Sequence, residues 1–176
     1  MRVLLKLVLD CDADAAWQAL RSPAVFRQVS APLMAFESLD ADGFPETWPP
    51  GEHLLAATAF GVVPAGRQSV DIRTEQRLDH VHGRHEGPVV VRIVHDTGHG
   101  LTFPLNLVTG WHHQMAASPL PDGRTLYRDQ LSFDAGALGP FAWLAFWAFW
   151  QWRGLALRRL APGWASRPAA HPPTRA

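Results

Sequence analysis

One stretch near the C-terminal end, residues 137–160, most constrains what this chain can fold into. Four of the chain's eight tryptophans lie between Trp143 and Trp152. The stretch is rich in Ala and Leu, and Pro140 suits a first helical turn, so the sequence predicts a helix. Its first four turns are apolar on every side. A helix of this kind has to be buried on more than one side, in a core, at an interface or in a membrane.

At 100° per residue, this predicted helix divides into two faces. The side chains expected to close a cavity are Phe141, Ala145, Phe149 and Trp152. The side chains expected on the opposite face are Trp143, Trp147 and Trp150. We expect that outer face to mark a homodimer interface or a peripheral contact with a membrane surface, because it is too apolar to stay in water. A transmembrane span is not expected, since the uninterrupted apolar part (residues 135–150) is shorter than the roughly 20 residues that a bilayer requires.

The overall composition narrows the class of protein. With 176 residues and 47% hydrophobic content, one domain with a substantial core is expected. A net charge of zero argues against a nucleic-acid partner and against a polybasic membrane anchor. The single cysteine, Cys11, excludes a disulfide framework and fits a cytoplasmic location, with membrane association left open. The first ten residues predict a strand rather than a signal peptide, because Lys6 and Asp10 interrupt the apolar run.

The order of elements predicts an α+β fold. A strand at the N-terminus precedes two short helices, which Asp12 and the Ser22–Pro23 pair are expected to begin. About six further strands follow, with residues 64–66 predicted as a tight connection between two of them. A curved antiparallel sheet of six to seven strands wrapped around the last helix would bury both layers. We expect residues 1–160 to form this single domain and residues 161–176 to form a disordered tail.

A predicted hairpin brings two ionisable residues to one face of the sheet. Pro121, Asp122 and Gly123 suit a three-residue loop, which pairs Met115 with Asp129. The more apolar face of this hairpin then carries Trp111, His113, Met115, Tyr127, Asp129, Leu131 and Phe133.

His113 and Asp129 are diagonal neighbours in this register, within reach of each other's side chains. Such a pair could hold the imidazole in one tautomer as a general base. Alternatively, the two groups simply satisfy each other in the core. The hydroxyl of Tyr127 could add a polar group to the cavity wall, or the ring could serve packing alone.

Several motifs stand out along the chain: Trp111-His-His113, Asp122-Gly-Arg-Thr125, Tyr127-Arg-Asp129, Asp134-Ala-Gly136, the helix end Trp152-Arg153 to Arg158-Arg159-Leu160, and the segments 45–51 and 60–64. Through these motifs the chain resembles the START-like, or SRPBCC, superfamily of polyketide cyclase/dehydrase and lipid-transport proteins, which have a helix-grip fold. They match an uncharacterised bacterial group of that superfamily over roughly residues 1–160. The resemblance implies a deep apolar cavity between sheet and helix, and small hydrophobic ligands. It does not imply one activity, since the superfamily includes carriers, receptors and cyclases.

Three functions therefore follow as hypotheses. The first is a protein that binds, or binds and carries, a hydrophobic or aromatic small molecule in a cavity lined by the inward side chains of the sheet and the last helix. The second is a cyclase- or dehydratase-type enzyme that uses His113 and Asp129 as an acid–base pair. The third is a domain that docks on a partner or a membrane through the aromatic outer face.

No cofactor is expected, because the sequence has no Gly-rich phosphate loop, nucleophile elbow or triad spacing. No metal site is expected either. His80, His82 and His85 form a histidine-rich strand, but His85 points away from the other two, so a wet strand edge is the simpler interpretation. A His112–His113 metal pair is not expected, because neighbouring residues on a strand face opposite sides.

Overall fold

Seven antiparallel strands and three α-helices form the fold in the computed structural model, which describes residues 1–79 and 87–164. The strands are β1 (Arg2–Leu9), β2 (Met34–Ser38), β3 (Gly51–Ala59), β4 (Val63–Asp79), β5 (Val89–Asp96), β6 (Thr109–Pro119) and β7 (Thr125–Asp134). The helices are α1 (Ala13–Leu20), α2 (Pro23–Ser30) and α3 (Gly139–Leu160), with short 3₁₀ turns at Leu105–Leu107, Gly136–Leu138 and Ala161–Trp164.

The sheet has the strand order β1-β7-β6-β5-β4-β3-β2, and every neighbouring pair is antiparallel. The N-terminal strand therefore pairs with the last strand, and α3 leaves β7 to pack back across β1. Gly154 lets the helix approach closely, since a Cβ atom there would lie 3.1 Å from Leu5 Cδ2 and 3.5 Å from Leu7 Cδ1. The predicted α+β helix-grip architecture is confirmed.

The two short helices begin where the sequence predicts. The carboxylate of Asp12 accepts a hydrogen bond from the Ala15 amide at 2.8 Å, which caps α1. The Ser22 hydroxyl accepts from the Val25 amide, and Pro23 occupies the first turn of α2. Both helices lie against the core: α1 packs on β6 and β7, and α2 packs on α3 and β2.

The connection between β3 and β4 differs from the prediction. The chain turns at Phe60 and Gly61, which both have positive φ angles, and the Val62 amide donates to the Ala59 carbonyl. Two positive φ angles give the turn the twist that a two-residue hairpin requires. Residues 64–66 belong to β4 instead, where the pairing register shifts opposite Ala57 and Thr58 and Gly66 has a φ of +103°.

Residues 161–164, expected in the C-terminal tail, belong to the folded domain. Ala161–Trp164 form a 3₁₀ turn, in which Ala161 is fully buried and Trp164 packs against the core. These two residues follow Leu157 by four and seven positions, so they continue the buried face of α3. Residues 165–176 lie outside the described residues. Cys11 is a free buried thiol whose pKa is raised by burial.

Candidate functional site

The carboxylate of Asp129 is the centre of a buried hydrogen-bond cluster. The hairpin between β6 and β7 has the predicted register, with Met115 opposite Asp129. Asp129 Oδ1 accepts from His113 Nε2 at 2.8 Å and from Trp150 Nε1 at 2.9 Å. Asp129 Oδ2 accepts from the Tyr127 hydroxyl at 2.6 Å. Three elements therefore converge on one carboxylate: β6, β7 and α3.

The charge of this cluster follows from its donors. Burial alone would raise the pKa of the Asp129 carboxyl, but the charge and hydrogen bond of His113 and the charge of Arg153 outweigh it and hold that pKa below its usual range. Burial and the negative charge of Asp129 together raise the pKa of Tyr127 well above its usual value. Asp129 thus stays an anion and Tyr127 stays a hydroxyl donor. Because an ionised carboxylate only accepts, His113 carries a proton on Nε2. His113 Nδ1 makes no hydrogen bond to any described residue.

A second buried carboxyl group, that of Asp96, lies opposite His113 on the neighbouring strand. The two residues are register partners on β5 and β6. Asp96 Oδ1 accepts from the amides of Asp71 at 3.1 Å and Gly98 at 2.9 Å, and Oδ2 accepts from Trp111 Nε1 at 3.2 Å. Burial raises the pKa of Asp96 despite these donors and the charge of His113. The sequence interpretation missed Asp96, because the long connection between β5 and β6 hides their register.

Arg153 on α3 is a further ionisable group in the interior, and it is only 5% exposed. Its guanidinium carbon lies 5.2 Å from the ring centre of Trp150 and 5.9 Å from that of Phe149. Nη2 lies 3.9 Å from the Met115 sulfur, and Nε has no hydrogen-bond partner among the described residues. The sequence motif included Arg153 without giving it a role; the signal for one was an arginine between two apolar runs of the predicted helix.

A small, partly open cavity lies between the sheet and the three helices. Its volume is about 40 Å³, and a water molecule requires about 10–15 Å³ of such space, so it holds a few waters at most. The polar residues in its wall are Asp96, His113 and Arg153. The apolar residues in its wall are Ala19, Leu20, Val25, Phe26, Val29, Trp48, Val70, Ile72, Met115 and Leu157. A second cavity of about 50 Å³ shares Asp96 as part of its wall and is bounded by Trp111 and Phe146.

The predicted cavity residues on the sheet are brought together only in part. Met115 lines the cavity beside His113, and Tyr127 and Asp129 lie fully buried behind it. Leu131 and Phe133 are buried further along β7, in a separate cluster that packs on Trp150. Trp111 is half-buried and lines the second cavity.

The predicted faces of α3 are correct for some residues and wrong for others. Trp150, predicted to face outward, is 2% exposed in the core, whereas Phe141, predicted to face inward, is 75% exposed. Ala145 is also exposed. Trp152 is half-buried at the flank of the helix, where its Nε1 donates to the Ala31 carbonyl, and Phe149 is half-buried beside Arg153. The inward stripe consists of Ala142, Phe146, Phe149, Trp150, Arg153, Gly154 and Leu157.

The cause of this error is that nearly every position of the first four turns is apolar. The hydrophobic pattern therefore has no phase of its own. Gly154 and Arg153 fix the phase instead, one by its close approach to β1 and the other by its burial beside Met115.

Trp143 and Trp147 do lie at the surface as predicted. They are 37% and 43% exposed, and their rings stack with centres 6.4 Å apart. Trp143 Nε1 donates to the Arg2 carbonyl, which ties this part of α3 to the start of β1. Phe141 and Leu144 extend the exposed apolar surface. Among the described residues, no helix is long and apolar enough to cross a membrane.

The histidine-rich segment around His80, His82 and His85 lies outside the described residues. His112 faces away from His113, as expected, and its ring stacks on His95 at 5.7 Å. Within residues 1–79 and 87–164, no group of three or more His, Cys, Asp or Glu side chains is arranged to hold a metal ion.

Comparisons with known proteins show the fold. No protein-family model matches the chain, and no curated protein matches it. A hypothetical protein from Helicobacter pylori is similar in structure, with a TM-score of 0.57 and 12% identity over 92% of this chain and 88% of that chain. A protein from Chromobacterium violaceum has a TM-score of 0.55 and 15% identity over 92% of this chain and 96% of that chain.

The Zhui aromatase/cyclase from a Streptomyces species is a more distant likeness, with a TM-score of 0.48 and 13% identity over 93% of this chain and 92% of that chain. Likenesses at these identities bear on the fold and not on an activity. Together with the sheet topology, the first two confirm the helix-grip fold that the sequence motifs implied.

Proposed function

We propose that this chain, which has the helix-grip fold of the START-like (SRPBCC) superfamily, binds a small and largely apolar molecule between its sheet and its helices. The observation that carries the proposal is the cavity between the sheet and the helices, whose wall is apolar apart from Asp96, His113 and Arg153. Ligand sites commonly combine an apolar lining with a few polar groups that orient the ligand.

The volume of the cavity sets a condition on binding. Sites for small organic ligands typically enclose about 300–1,000 Å³, and this cavity encloses about 40 Å³. A ligand therefore has to displace side chains from the wall. Helix α2 is the part of the wall best suited to move, because only Pro23, Val29 and Ser30 of its eight residues are buried.

A neutral fluorescent probe, N-phenyl-1-naphthylamine, tests the proposal directly. We expect saturable binding by the full chain, with the fluorescence increase that accompanies transfer to an apolar site. Ala19→Leu places a larger side chain in the cavity wall and should weaken binding. Ala148→Leu adds the same atoms at an exposed position of α3 and serves as the matched control. Absence of saturable binding, or equal binding by a folded Ala19→Leu variant, would contradict the proposal.

A second candidate function is acid–base catalysis on the bound molecule. The observation in its favour is that His113, oriented by Asp129 at 2.8 Å, lines the cavity and has no hydrogen bond at Nδ1 to any described residue. A neutral imidazole in this tautomer could accept a proton there.

Native mass spectrometry separates the two candidates. Any small molecule that co-purifies with the full chain is first identified by its mass, and is then incubated with the wild type and with the His113→Asn variant. Conversion by the wild type alone would favour an enzyme. Recovery of the unchanged molecule from both proteins would favour a binding protein.

A further inference from the structure

The buried guanidinium of Arg153 has one N–H group, at Nε, without an acceptor among the described residues. Arginine has five N–H donors in a planar fork, and its charge persists in the protein interior. Nη2 contacts the Met115 thioether at 3.9 Å, and the guanidinium also interacts with the Tyr127 hydroxyl. The rings of Trp150 and Phe149 attract the cation but accept none of its hydrogen bonds in the plane. Buried donors without acceptors are costly, so such a group indicates a missing partner.

The two buried carboxylates are engaged with other donors. Asp129 accepts from His113, Trp150 and Tyr127, and Asp96 accepts from two backbone amides and from Trp111. The charge of Arg153 stabilises ionised Asp129 at longer range without a direct hydrogen bond. The matching acceptor is therefore not supplied by either carboxylate.

Arg153 also lies in the wall of the cavity, opposite side chains that are almost all apolar. A ligand placed there would have its polar end at Arg153 and its apolar part among Leu20, Val29 and Ile72. Among small acceptors, a carboxylate fits the guanidinium fork best, because its two oxygens can accept two parallel hydrogen bonds.

We propose that Arg153 recognises a carboxylate on the ligand of this cavity, so that the ligand is a small apolar acid. This inference rests on the proposed binding function and specifies the chemical class of the ligand. It also gives α3 a part in recognition, through a residue that sits one helical turn from the Trp150–Asp129 hydrogen bond.

Matched pairs of acids and neutral molecules test the inference. Decanoate is compared with decanol, and 2-naphthoate with 2-naphthol, by calorimetric titration of the full chain at neutral pH. We expect the wild type to bind each acid about 10- to 100-fold more tightly than its neutral counterpart, as expected for hydrogen bonds between charged groups. Arg153→Met should abolish this preference and change the affinity for the neutral members by less than about threefold.

Two further variants make the test specific. Arg158→Met removes an exposed arginine from the same helix and should keep the full preference for acids. Arg153→Lys keeps the charge but loses the planar fork, and should retain only part of the preference. The comparison within the wild type needs no variant, so it remains decisive if Arg153→Met fails to fold.

Equal binding of acids and neutral counterparts by the wild type would overturn the inference and leave the proposed function standing. A preference that survives in Arg153→Met would also overturn it, because the acid would then be recognised elsewhere. If no member of either pair binds, and N-phenyl-1-naphthylamine does not bind either, both the inference and the proposed function fail.

Discussion

The indole of Trp150 donates a hydrogen bond of 2.9 Å to the carboxylate of Asp129, and this bond joins the terminal helix to the middle of the sheet. Both residues are 2% exposed. The same carboxylate oxygen accepts from His113, so the position of the helix and the orientation of the imidazole depend on one group. A change at Asp129 should therefore affect both the packing of α3 and the orientation of His113.

Replacing Trp150 should therefore destabilise the protein more than replacing its surface neighbours. Trp150→Phe removes a donor to a buried carboxylate, and we expect a loss of about 1–3 kcal/mol in the free energy of unfolding. Trp147→Phe, at a position 43% exposed, is the matched control and should cost less than about 0.5 kcal/mol. Urea unfolding of both variants measures the difference. Equal losses would mean that the indole N–H contributes no more in the core than at the surface.

The sequence predicted the sheet side of the site better than the helix side. A three-residue loop determines a hairpin register locally, so Met115 was placed opposite Asp129, and His113 within reach of it, as the structure has them. The phase of α3 depends on tertiary contacts that no local pattern encodes, so Trp150 and Phe141 were assigned to the wrong faces. Asp96 was missed for a related reason. A long connection joins β5 to β6, so no local turn pattern determines which residue of β6 pairs with Asp96.

The close approach at Gly154 predicts a steep dependence on side-chain size. Gly154→Ala should leave stability nearly unchanged, because the new Cβ meets only the flexible ends of Leu5 at 3.1 Å and of Leu7 at 3.5 Å, and because helix propensity rises. Gly154→Leu should push α3 away from β1 and cost about 1–3 kcal/mol through overpacking. The free energy of unfolding in urea is the measurement, with Ala148→Leu at an exposed helical position as the control. A neutral Gly154→Leu variant would contradict the packing seen between α3 and β1.

The buried carboxyl of Asp96 should make stability depend on pH in a direction unusual for an aspartate. Its pKa is raised in the folded state by burial, so the folded protein holds this proton more tightly than the unfolded chain does. The contribution of Asp96 to stability is then fully present below the unfolded pKa of about 3.9, and is lost as the pH rises through the folded pKa.

Unfolding free energies of the wild type and of Asp96→Asn, measured from acid to neutral pH, test this sign. The wild type should lose stability relative to the variant as the pH rises. Asp129→Asn should show the opposite trend. Because the pKa of Asp129 is lowered in the folded protein, its contribution to stability is lost as the pH falls through that folded-state pKa. A wild type that gains stability over Asp96→Asn with rising pH would contradict the direction of the shift.

Phe26 on α2 offers a test of how the cavity opens. Its ring lines the cavity and packs on Phe36 at 4.6 Å and on Trp48 at 6.2 Å. In Phe26→Ala this part of the wall is removed, so a ligand no longer has to displace the ring. We expect N-phenyl-1-naphthylamine to bind more tightly and to associate faster, because the variant populates the open cavity without the ligand.

The same substitution should cost stability. A fully buried phenylalanine costs about 3–5 kcal/mol when replaced by alanine, and a half-buried one should cost less. Phe103→Ala, at a position 73% exposed, is the control and should alter neither property. Stopped-flow fluorescence gives the association rate, and urea unfolding gives the stability. If Phe26→Ala weakened binding without changing the association rate, the ring would be a contact for the ligand, and opening of the cavity would have to occur at another part of its wall.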